Sequence, residues 1–130
     1  MRNFLAPVLV VLMLAGCSAP ENLISFNETS NAGQQIRQLS FALTNEPAKT
    51  CIEGNWRVAE LVKGRYEQMH DPAYELKNGN LEVLLDNFAC DAYDSYIGTL
   101  SGGQFHGKHV RYGLGHSNTL GNVSGTYANK

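Results

Sequence analysis

The sequence predicts a mainly β protein: a small antiparallel meander closing into a barrel or sandwich of about six strands, behind a flexible N-terminal tether with room for one short helix. Three observations carry this reading. From Cys51 onward, short β-prone runs are separated by frequent Gly and Asn. Asn78-Gly79 and Gly102-Gly103 each sit between two such runs and suit two-residue hairpin loops. About the first of these turns, side-chain alternation puts apolar residues on one face of both strands, which pins the register.

The first element is a targeting segment. Arg2 supplies a positive start, Phe4 to Leu14 is an apolar run broken at Pro7, and Leu14-Ala15-Gly16-Cys17 follows. The run is shorter than the ~20 apolar residues that cross a bilayer. Leu14-Ala15-Gly16-Cys17 resembles the lipobox of bacterial lipoproteins. The resemblance implies that residues 1–16 are a signal peptide and that Cys17 is acylated, becomes the first mature residue and holds the protein to the lipid bilayer. Each buried methylene adds about 0.8 kcal/mol, so two or three acyl chains anchor firmly. Ser18, where inner-membrane members of that class carry Asp, implies an outer-membrane lipoprotein, with a periplasm-facing orientation expected.

Residues 17–47 are expected to form the lipidated tether. Residues 18–33 are rich in Ser, Asn, Glu and Gly. Ile36, Leu39 and Leu43 then recur at a spacing that allows a short amphipathic helix over 34–43, ended by Thr44-Asn45-Glu46-Pro47.

Residues 48–130 are expected to be the β-domain. A two-residue loop at Asn78-Gly79 pairs Lys77 with Asn80, Leu76 with Leu81 and Tyr74 with Val83. A loop at Gly102-Gly103 sets Leu100 opposite Phe105, Gly98 opposite Gly107 and Tyr96 opposite His109. Further strands fit Trp56–Val62, His109–Leu114 and Leu120–Tyr127. The glycines in or beside these runs mark bends or bulges of a strongly curved sheet. Cys51 and Cys90 are an even pair in an exported chain and are expected to form a disulfide. It would close a loop of about 40 residues, worth about 3–4 kcal/mol by loop-closure entropy.

The chain has room for one domain, and its formal net charge of −2 becomes −3 once Arg2 leaves with the leader. Such a balance does not suit a general nucleic-acid binder, so no nucleic-acid partner is expected. Several motifs fail on context. Leu100-Ser101-Gly102-Gly103-Gln104 spells the signature pentapeptide of ABC transporter ATPases, and Gly102 with Gly107-Lys108 matches most of a phosphate-binding loop. His109 stands where that loop needs a hydroxyl, the two motifs overlap, and the following residues are β-like. His106 and His109 fall on opposite faces of a strand, which hinders a shared metal. Asp86, Asp91 and Asp94 lack the spacing of a calcium loop. No metal, cofactor or catalytic residue is therefore assigned, and no enzyme activity is expected.

Charge is distributed unevenly along the domain. Residues 51–94 hold nine acidic against four basic side chains, whereas 95–130 hold no acid but carry Lys108, Arg111, Lys130 and three histidines. Lys108, Arg111 and Tyr112 are the candidate ligand-contact residues, facing an anionic envelope component or a protein partner. Ser124-Gly125-Thr126-Tyr127 is similar to the Ser-Gly loop of membrane-bound inhibitors of c-type lysozyme. Its spacing to the aromatic residue is shorter and the cysteine pattern differs, so the mature domain is assigned to no family. The functional expectation is a membrane-anchored, non-catalytic binding or inhibitory module; the alternative is a structural or assembly accessory of the envelope.

Overall fold

A computed structural model describes residues 22–128. The expected signal peptide and Cys17 lie outside the described residues. Eight antiparallel strands close into a barrel: β1 (Leu23–Thr29), β2 (Gln35–Pro47), β3 (Arg57–Lys63), β4 (Ala73–Lys77), β5 (Asn80–Asp86), β6 (Tyr93–Ser101), β7 (Gln104–Gly113) and β8 (His116–Ala128). Each strand pairs with its neighbour in sequence, and β1 closes on β8 from Leu23↔Ala128 to Thr29↔Asn122. Closure removes the sheet edges that would otherwise template aggregation.

Two expectations are corrected at the N-terminal side. Residues 23–47 are not tether: they form β1 and β2, which raises the strand count from about six to eight and starts the domain at Leu23 instead of residue 48. The helix expected over 34–43 is absent as well. Ile36, Leu39 and Leu43 fit a helical period, but Leu39, Phe41 and Leu43 also alternate, and burial follows the alternation. The partner that decides between the periods is β1, where Ile24 and Phe26 alternate inward in the same way.

The two hairpins form as their turn residues dictate. Asn78 and Gly79 have φ of 53° and 78°, and Gly102 and Gly103 have 58° and 76°, so each turn takes two successive positive φ values. The pairs Leu76↔Leu81, Tyr74↔Val83, Leu100↔Phe105 and Tyr96↔His109 are those the alternation predicts.

The interior is filled by side chains. Phe26 sits at its centre, edge-on to Phe41, Tyr96 and Phe105 at centroid distances of 6.1, 5.1 and 5.1 Å. Ile24, Leu39, Leu81, Val83, Leu85 and Val123 pack around them. A smaller cluster lies on the outer face of β4 and β5, where Ala73 and Leu84 are covered by Trp56 with Ala48, Ile52 and Tyr93. The covering segment is the β2–β3 connection. It is fastened by the Cys51–Cys90 disulfide, as expected from the cysteine count, and by Asn87, whose Nδ2 donates to the carbonyls of Lys49 and Asp71.

The strand directions give the barrel two distinct ends. The near end holds the start of β1 and the tight turns at 78–79 and 102–103. The far end holds the β1–β2, β3–β4, β5–β6 and β7–β8 connections. Beyond Val58 and Ala73 the pairing of β3 with β4 stops, and residues 64–72 cross the far end instead. They are tied down where the His70 amide donates to the Leu85 carbonyl and the Asn87 amide to the His70 carbonyl.

Candidate functional site

Three strands that carry apolar side chains inward switch to ionisable ones as they reach the far end. In β1 the inward series runs Ile24, Phe26, Glu28. In β7 it runs Phe105, Gly107, His109, and β6 begins with Asp94 before Tyr96. Glu28, Asp94 and His109 are all essentially buried, at 1%, 2% and 1% exposure. Room for the Glu28 side chain comes from Gly121: a Cβ there would meet Glu28 Oε2 at 3.2 Å and the Thr29 carbonyl at 2.6 Å.

The imidazole of His109 lies between the two carboxylates. Its Nδ1 is 3.1 Å from Glu28 Oε2 and its Nε2 3.2 Å from Asp94 Oδ2. A neutral ring has one N–H, so one nitrogen would face a carboxylate lone pair to lone pair; both contacts are favourable only for the imidazolium. Burial opposes that charge, but the hydrogen bonds to Asp94 and Glu28 and their negative charges outweigh it, raising the His109 pKa. Burial likewise opposes ionisation of Glu28, and bonds from His109 and Tyr96 reverse it, lowering the pKa. Asp94 is lowered in the same way by His109 and Tyr66, against its own burial.

Tyrosines and arginines complete the arrangement. The Tyr96 hydroxyl donates to Glu28 Oε1 at 2.7 Å, and the Tyr66 hydroxyl donates to Asp94 Oδ2. Burial, then its bond to Asp94, pushes the Tyr66 phenol up to about 12. Arg37 Nε is 3.5 Å from Glu28 Oε1, and its guanidinium stacks 4.5 Å from the Tyr66 ring centroid. Arg111 Nη2 is 3.6 Å from Asp94 Oδ2 and donates to the Tyr66 hydroxyl at 3.4 Å. Charge therefore alternates along Arg37, Glu28, His109, Asp94 and Arg111, with Tyr66 laid across the row from the β3–β4 connection.

Such a row holds charge and closes the barrel mouth. Both ring nitrogens of His109 are engaged by carboxylates, and among the described residues no group of three or more His, Cys, Asp and Glu side chains is arranged to hold a metal ion. Asp94 Oδ1 is the one buried side-chain polar atom of the row without a hydrogen-bond partner among the described residues.

The contact residues expected from sequence are separated by the strand they share. Lys108 and Tyr112 lie on the outer face of β7, Lys108 exposed and Tyr112 stacked on Tyr93 at 4.7 Å. Arg111 points to the far end and joins the ionic row. The three do not form one contact patch. His106 is exposed on the outer face, opposite in direction to His109, as the odd spacing requires. His109 faces Tyr96 across the strands, as the Gly102-Gly103 turn predicts, and is buried. Ser124-Gly125-Thr126-Tyr127 lies within β8 and forms no loop, so its likeness to an inhibitor loop is not carried by the fold.

Glu28 and Asp94 escaped sequence reading as partners of His109. Asp94 stood out only as one of three acids near Cys90, and Glu28 only within residues expected to be tether. The usable signal was an ionisable residue in the inward register of three strands, visible once β1 is recognised as a strand. No protein-family model, curated protein or solved structure matches this chain.

Proposed function

We propose that this chain is a lipid-anchored envelope lipoprotein, held through acylated Cys17, whose barrel is a non-catalytic binding module. The observation that carries the reading is the filled interior. Aromatic and aliphatic side chains occupy the middle and the ionic row closes the far end, so ligand contact falls to the outer surface. The position of β1 supports the anchor. Leu23 stands six residues after Cys17, a separation that spans at most about 20 Å fully extended. A lipid at Cys17 would therefore hold the near end beside the bilayer and turn Arg37, Tyr66 and Arg111 away from it.

A second reading, an assembly accessory of the envelope, is favoured by the far end. Ile36, Val62, Phe88 and Leu114 are exposed there, each from a different connection or strand end, with Phe88 and Leu114 three-quarters exposed. Exposed apolar residues gathered around one end suit a protein contact.

The test is made in the native host. Mass spectrometry should find a diacylated or triacylated Cys17 as the first residue, and Cys17→Ala should leave the membrane fraction. An intact leader or a bare thiol would overturn the anchor. Phe88→Ser with Leu114→Ser separates the two readings: a permeability defect with a normally folded barrel favours the accessory role, and an unchanged envelope favours the binding module.

A further inference from the structure

We propose that the outer face formed by β2, β1, β8 and the start of β7 binds an uncharged oligosaccharide. The inference rests on the reading of the barrel as a binding module and names the class of ligand it would take. Pairing places Ser40, Ser25, Thr126 and Gln104 in one row across four strands, and Gln38, Asn27, Ser124 and the exposed His106 in the next. All but His106 line a groove of about 320 Å3, with Lys63 at its margin.

The two central strands of the face, β1 and β8, lack the charges of an ordinary solvated strand surface. Among the described residues of β1 and β8, Glu28 is the single charged one, and it points inward. Amide and hydroxyl side chains both donate and accept hydrogen bonds, which is also the pattern of a sugar hydroxyl. A phosphate or carboxylate would find one ammonium and no guanidinium in this groove. Ser25 Oγ and Ser40 Oγ already stand 2.9 Å apart, a pair able to share a ligand hydroxyl between them.

Asn27 adds an independent indication. Its Oδ1 is buried and has no hydrogen-bond partner among the described residues. Buried acceptors are nearly always satisfied, and a hydroxyl seated in the groove would satisfy this one after a small rotation of the amide. Asn is also depleted in strands, yet Asn27 sits in β1 on the outer face, against local propensity. Departures of that kind concentrate where a surface has a task other than folding.

Two sources share this chemistry: the N-acetylated amino sugars of wall glycan and neutral hexose chains of surface polysaccharide. The full chain, purified from host membranes in a sugar-free detergent, is titrated calorimetrically with chitotetraose and with maltotetraose. Saturable binding of either is expected, and which one binds identifies the source. It should persist at about 1 M salt, where charge interactions are screened within about 3 Å. Asn27→Ala with Gln38→Ala should weaken it about tenfold or more, the loss of a good hydrogen bond. Ser124→Lys, placed on the exposed middle of the groove, should do the same, with circular dichroism unchanged in both variants. No binding of either sugar, binding that survives both variants, or binding abolished by salt would overturn the proposal. An acylated Cys17 together with a saturable envelope partner of other chemistry would leave the binding-module reading standing while this assignment fell.

Discussion

The Nδ1 of His109 lies 3.1 Å from the carboxylate of Glu28, a residue 81 positions earlier in the chain, and both side chains are 1% exposed. With Asp94 on the other ring nitrogen, the pair joins β1, β6 and β7 around one buried charge.

Removing that charge should be costly. Breaking a buried ion pair on one side typically destabilises by about 3–5 kcal/mol, because the partner stays buried without compensation. His109→Ala strands two carboxylates, so a loss at the upper end of that range is expected in urea denaturation. Adding Glu28→Gln and Asp94→Asn to the same variant should restore part of it. A loss under about 1 kcal/mol, on the scale of an exposed pair, would show that the row does not hold the barrel end together.

Stability should fall on both sides of a mildly acidic plateau. The His109 pKa is raised, so its contribution is complete below its ordinary value of 6.5 and is lost as pH climbs through the higher folded value. Glu28 and Asp94 are lowered from 4.5 and 3.8, so theirs is complete above those values and is lost as pH falls through the folded ones. Melting temperature followed from acid to alkaline pH should trace this dome, and His109→Gln should remove the alkaline fall specifically. An alkaline fall identical in wild type and variant would assign it to another group.

The disulfide should matter through the segment it fastens. Closing a loop of 39 residues is worth about 4 kcal/mol by loop-closure entropy. Trp56, the chain's single tryptophan, is buried in the cluster that the β2–β3 connection forms over β4 and β5. Reduction, or Cys51→Ser with Cys90→Ser, should lower the denaturation midpoint and shift tryptophan emission to the red. An unchanged emission would mean that the connection packs without its covalent tie.

Glycine at 98 and 107 is required by the close approach of backbone around both positions in the β6–β7 hairpin. The two face each other across the strands, and a Cβ at Gly98 would lie 2.2 Å from the His106 carbonyl, while one at Gly107 would lie 2.2 Å from the Ile97 carbonyl. Backbone cannot yield as a flexible side chain does, so either Gly→Ala change should cost upwards of about 3 kcal/mol, beyond ordinary overpacking. Gly102→Ala, with open space around its Cβ but a φ of 58°, should cost only the ~1–2 kcal/mol of left-handed backbone. Equal costs at all three positions would rule out the steric account.

The hairpins were legible in the linear chain because their determinants are local. Asn78-Gly79 and Gly102-Gly103 set two registers, and alternation on either side chose which residues face inward. The even cysteine pair was legible for a similar reason, since two cysteines offer one pairing. The ionic row was not. Its members come from β1, β6 and β7, and whether Glu28 meets His109 depends on β1 closing against β8. Residues 23–47 held two competing periods, and a segment with helical and alternating spacing takes the one its neighbours can pair with. Local residues determined the turns, the facing pairs and the inward alternation of the later strands. Closure of the barrel decided that two N-terminal strands exist, that a histidine is buried between two carboxylates, and that rows of Ser, Thr, Asn and Gln from β2, β1 and β8 share one outer face. The reason is that strand pairing gains free energy only when both partners are present, so its outcome is not a property of either segment alone.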